Sequence, residues 1–93
     1  MELPVNYKNL HWTERKAVRE EYIKRQNGKC CHCGEPLNRK PCSKVRCLSV
    51  DKKLFPKNFF DWPVHLHHSH NDGMTIGAVH SYCNAVLWQY HGK

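Results

Sequence analysis

The sequence predicts one small α+β domain in which an N-terminal helix precedes a strand–turn–strand–helix unit. Three observations predict it. The chain has 93 residues, enough for a single domain whose core is thin unless a cross-link or a metal assists it. A helix signal near the N-terminus runs into Asn27-Gly28, a natural stop. The alternating run Val64–His68 is followed by Asn71-Asp72-Gly73, a strong hairpin turn, and then by a second extended stretch.

Taken in order, residues 1–12 carry Pro4 and scattered polar side chains and read as an irregular arm. Thr13 is the expected N-cap, with Glu14 in the first turn, of a helix placed at 13–27. Ala17, Val18 and Tyr22, with Ile23 alongside, supply its apolar stripe. Arg15, Lys16, Arg19, Lys24 and Arg25 lie mostly off that stripe, either as an ordinary solvated face or as nucleic-acid contacts. Residues 35–61, punctuated by Pro36, Pro41 and Pro56, read as a loop-rich insertion with one short strand near Cys47–Asp51. Strands are expected at Val64–His68 and Thr75–His80, and a helix from Tyr82 to about His91 packs through Ala85, Val86 and Trp88. This last unit spans 64–92. No repeat, low-complexity tract or linker divides the chain, so 1–93 is read as one domain.

Fifteen Lys and Arg against 8 Asp and Glu give a net charge of +7. Such an excess on a short chain favours a polyanionic partner. No apolar run is longer than Ala85–Trp88, which excludes a spanning helix and a signal-peptide core and leads us to expect a cytoplasmic location. The hydrophobic share of 40% argues against disorder.

Six Cys and 8 His are the unusual counts. In a reducing compartment thiols stay free, and thiolates mixed with imidazoles favour a metal over disulfides. Cys30-x-x-Cys33-Gly34 has the spacing of a zinc knuckle, and His80-x-x-Cys83 repeats it at the junction of the last strand and helix. Together they form a Cys3His set suited to a closed, structural zinc site. Cys31 has no assigned role. Cys42 and Cys47 are loop thiols without a ligand, a second half-site, or replacements for one pair of the first.

Val64-His65-Leu66-His67-His68-Ser69-His70 concentrates imidazoles on the first strand. Strand alternation places His65 with His67 on one face and His68 with His70 on the other. At His67-His68-Ser69-His70, followed by Gly77-Ala78-Val79-His80-Ser81-Tyr82-Cys83-Asn84, the chain resembles the HNH (His-Me finger, ββα-metal) endonucleases. The nearest branch is that of the small phage HNH and recombination endonuclease VII-like nucleases. The resemblance covers about 14–34 and 62–93. It implies a ββα-metal fold in which His67 and Asn84 hold a catalytic divalent ion, Mg²⁺ or Mn²⁺, with Ni²⁺ or Zn²⁺ as further candidates. His68 would be the general base, suited to it because imidazole titrates near neutrality. His70 would contact or protonate near the scissile phosphate. The pattern departs from the family in having His67 where many members have Asp, and His80 where Cys is common.

The reading that follows is a DNA endonuclease of low sequence specificity, leaving 5′-phosphate and 3′-hydroxyl ends. The resemblance also implies a phage origin, within a bacterial host, and action beside a DNA-packaging terminase. The alternative is a non-catalytic zinc module that binds nucleic acid through its basic surface. Trp12, Trp62 and Trp88 are read as core residues before stacking platforms.

Overall fold

The computed structural model describes residues 1–92 and contains the expected N-terminal helix and the strand–turn–strand–helix unit in that order. Helix α1 is Trp12–Arg25, short helix α2 is Ser43–Arg46, strands β1 and β2 are Val64–His68 and Thr75–His80, and helix α3 is Ser81–His91. Single 3-10 turns lie at Tyr7–Asn9, Lys52–Leu54 and Phe59–Asp61. The two strands pair antiparallel, Val64 with His80 and His67 with Gly77. Their register shifts between His67 and His68, where Ile76 of β2 is left without a partner.

Helix α1 starts earlier than Thr13 suggested, because His11 is the N-cap. Its imidazole accepts from the Thr13 N–H, and the Glu14 carboxylate accepts from the His11 N–H at 3.1 Å, closing a capping box. An imidazole nitrogen thus replaces the expected hydroxyl. The helix ends as anticipated, with Asn27 (φ 56°) and Gly28 (φ 74°) left-handed and the Gly28 N–H bonded to Ile23 O at 2.8 Å. The docked stripe differs from the expected one. Val18 is buried and Tyr22 and Ile23 are half-buried, but Ala17 is exposed. Positions 15, 18, 19, 22 and 26 share one helical face, so Arg15 and Arg19 lie half-buried beside Val18 rather than on the far side.

Gln26 closes that face onto the hairpin. Its amide accepts from the Ala78 N–H and donates to Ala78 O, both at 2.9 Å, and the Cys31 N–H bonds Ala78 O at 3.0 Å. The open edge of β2 is therefore satisfied by α1 and the turn that follows it. The N-terminal arm is ordered by the same strand: Thr75 N–H bonds Val5 O and Tyr7 N–H bonds Gly73 O, each at 2.8 Å. Gly73 (φ 75°) makes the turn, as expected.

Within 35–61, a short strand near Cys47–Asp51 was expected, and α2 with the 3-10 turns is found instead. Val45 of α2 is buried in the core with Leu37, Val79, Cys83 and Val86, so the segment folds inward around one apolar anchor and has no partner strand to pair with. Helix α3 clasps the rest: Gln89 accepts from the Asp51 N–H at 2.9 Å, the Tyr90 hydroxyl donates to Ser49 O at 2.6 Å, and the Tyr82 hydroxyl donates to Leu48 O. Gly92 (φ 67°) caps α3. No helix among the described residues is long and apolar enough to cross a membrane.

Candidate functional site

The end of α1 and the start of α3 bring Cys30, Cys33, His80 and Cys83 together, with all four ligand atoms within 4.8 Å of one another. Cys33 Sγ and Cys83 Sγ lie 3.4 and 3.6 Å from His80 Nδ1. A tetrahedral ion with thiolate bonds of about 2.3 Å separates its ligands by roughly 3.6–3.8 Å, so the spacing already fits. The chemistry of the donors fits as well. His80 Nε2 lies 2.9 Å from Pro36 O, and donation to that carbonyl leaves the Nδ1 lone pair facing the sulfurs. Cys30 accepts from the Cys83 thiol and from nearby backbone N–H groups, including that of His32 at 3.4 Å, which pull its pKa down to about 4. The same contact and burial push Cys83 up. Cys30 is thus the readiest thiolate, and the remaining thiol protons, those of Cys33 and Cys83, leave when a metal enters. The cluster could hold a structural metal such as zinc. Cys31, Cys42 and Cys47 lie outside it.

Directly after Cys83, Asn84 points the first turn of α3 into a cavity of about 850 Å³. Arg15, Lys16 and Arg19 of α1 form one wall. Leu54, Phe55, Phe59 and Trp62, from the segment between α2 and β1, form another. His65, His68, His70 and Trp88 complete it. Lys24 and Arg25, also expected to contact nucleic acid, are not on the cavity, and Arg25 pairs with Glu21 at 3.2 Å.

The histidines are not divided as strand alternation suggested. His65 and His68 both reach the cavity, whereas His67 is 5% exposed and is not among its walls. Past His67 the regular register ends, with Ile76 of β2 left unpaired between His67↔Gly77 and His68↔Thr75. His65 contacts Asn84 directly, with His65 Nδ1 3.1 Å from Asn84 Nδ2. His65 Nε2 faces Phe59 O at 2.8 Å, which fixes its tautomer and leaves Nδ1 as the acceptor. Burial is the main influence on His65 and lowers its pKa.

His68 is held in a column of rings. Tyr7 stacks on it at 4.0 Å with planes 6° apart, and His70 stacks at 5.2 Å and 5°. The Arg15 guanidinium lies 4.1 Å over the Tyr7 ring. Burial first, then the nearby His70, His67, Arg15 and Lys8, lower the His68 pKa, so its imidazole is neutral near pH 7. Arg15 Nε is buried and has no hydrogen-bond partner among the described residues, and none of Arg15, Lys16 or Arg19 is in an ion pair there.

Tyr7, Phe55 and Phe59 escaped the sequence reading, which placed His65 on a strand face but gave it no role. Tyr7 stood in an arm with no periodicity, and the phenylalanines in a segment with no recognisable pattern. Compared with protein-family models, curated proteins and solved structures, the chain matches none of them.

Proposed function

We propose that the chain is a metal-dependent endonuclease that hydrolyses phosphodiester bonds in DNA, with His68 as the general base. The observation that carries this reading is an imidazole stacked with parallel rings in a cavity lined by cations that form no ion pair among the described residues. Arg15, Lys16 and Arg19 neutralise the nucleic-acid backbone and seat one phosphate. His68 takes a proton from water as the water oxygen bonds to phosphorus, and the bond to the 3′ oxygen breaks. His70, in the same column, is placed to return a proton to that oxygen, leaving 3′-hydroxyl and 5′-phosphate ends.

The cavity offers His65 Nδ1 and the Asn84 amide as donors for a divalent ion. We therefore assign the imidazole of the ligand pair to His65, in place of His67. With so few protein donors the ion keeps most of its water, which suits Mg²⁺ or Mn²⁺. Such an ion, when bound, offsets charge on the phosphate and on the departing oxygen. The knuckle supports this arrangement through Cys83, which fixes the backbone next to Asn84.

A supercoiled-plasmid nicking assay over a series of divalent ions tests the reading. Zinc-loaded wild-type protein is expected to nick with Mg²⁺ or Mn²⁺, and Asn84→Ala and His65→Ala to need about tenfold more metal for half-maximal rate. Tight DNA binding with no nicking in any ion would instead identify a non-catalytic zinc module.

A further inference from the structure

Tryptophans in a small domain ordinarily fill its core. Here Trp12, Trp62 and Trp88 are 69%, 67% and 41% exposed, and all three line the same cavity as the cationic wall and His68. Exposed Leu54 adjoins them. Leaving this much aromatic surface in water costs stability and calls for an occupant. Charge narrows the choice, because the wall of Arg15, Lys16 and Arg19 has no carboxylate partner among the described residues.

We propose that the cavity takes unpaired nucleotides, so that the substrate class is single-stranded or locally melted nucleic acid, with bases stacked on Trp12 and Trp62. This deepens the nuclease reading and rests on it for the cleavage step. A groove combining backbone-tracking cations with aromatic faces is the general solution for binding unpaired strands, since each base presents a π-face. In a paired duplex those faces are covered by neighbouring bases, and exposing one costs a few kcal/mol. A duplex could therefore use the cations but not the tryptophans. Trp88 contacts Phe55 edge to face at 5.5 Å, which braces the wall, while Trp12 and Trp62 are the more open platforms.

The test is binding of fluorescently labelled oligothymidylate against a hairpin duplex of equal phosphate number, with zinc-loaded protein and no added divalent ion. The single strand is expected to bind at least about tenfold more tightly and to quench tryptophan fluorescence. Trp12→Ala and Trp62→Ala should each weaken it about 5- to 150-fold, as loss of one stacked base predicts, while duplex binding stays level. Trp62→Tyr should recover most of the loss. Zinc content and far-ultraviolet circular dichroism confirm that these exposed positions leave the fold intact. Equal affinity for both forms, or equal weakening of both by the alanine variants, overturns the proposal. Preference for the single strand without cleavage in any ion upholds it and removes only the nuclease reading.

Discussion

The base proposed at His68 is set in a ring stack: Tyr7 and His70 lie parallel to it, and the Arg15 guanidinium lies over the Tyr7 ring. Burial lowers its pKa from 6.5, so as pH falls the unfolded chain takes up the proton first. The ring's contribution to stability is then present above about pH 6.5 and lost below it. Activity follows the same direction. The acid limb of the kcat/KM profile should have its midpoint below 6.5 in the wild type. Tyr7→Ala opens one face of the ring to water and should move that midpoint up towards 6.5, whereas Tyr7→Phe, which keeps the stack, should leave it in place. A Tyr7→Ala profile superimposable on wild type would show that the stack does not tune the base.

At the scale of elements, both strands and the last helix were legible because turn chemistry and alternation frame them: Asn71-Asp72-Gly73 sets the hairpin, and the apolar positions of β2 and α3 declare the core. The metal ligands were legible for a simpler reason, since paired Cys/His spacings encode convergence directly. What the sequence concealed was tertiary. Nothing in the histidine run announces that His65 meets Asn84, and nothing in residues 35–61 announces that Val45 will anchor the segment or that Phe55 and Phe59 will line the cavity. The cap at His11 was hidden because imidazole is an uncommon capping group beside an obvious Thr13.

Two predictions belong to these elements. A Cβ at Gly77 would lie 2.8 Å from Gln26 Oε1 and 3.0 Å from Cys31 Cβ and Sγ. Gly77→Ala must therefore displace the Gln26 brace on β2, costing about 1–3 kcal/mol and lowering Tm by several degrees in a thermal melt. An unchanged Tm would mean that the brace yields freely. Metal analysis should find about one zinc per chain, and a strong chelator should unfold the domain, because structural zinc contributes about 10–16 kcal/mol against a total stability of about 5–15 kcal/mol. Cys83→Ser should do the same, with loss of helical circular dichroism. Cys42→Ser and Cys47→Ser should leave the zinc content intact; a loss there would move the site into the 35–61 segment.

For the whole molecule, the net charge of +7 is less informative than its placement. Glu21 occupies Arg25, while Arg15, Lys16 and Arg19 remain open to the cavity. Replacing all three cations by Ala should reduce the logarithmic salt slope of single-strand binding by about 2, at about 0.7 per phosphate contact. Replacing Lys24 and Arg25 should change it far less. Equal effects from the two sets would mean that binding follows overall charge and not the cavity. The most direct test of the central claim, that this cavity hydrolyses phosphodiesters through His68, is the single-turnover nicking rate of His68→Ala protein carrying its full zinc content. The account predicts a fall of about 10²- to 10⁴-fold with DNA binding retained, and nicking by the variant at the wild-type rate would contradict it.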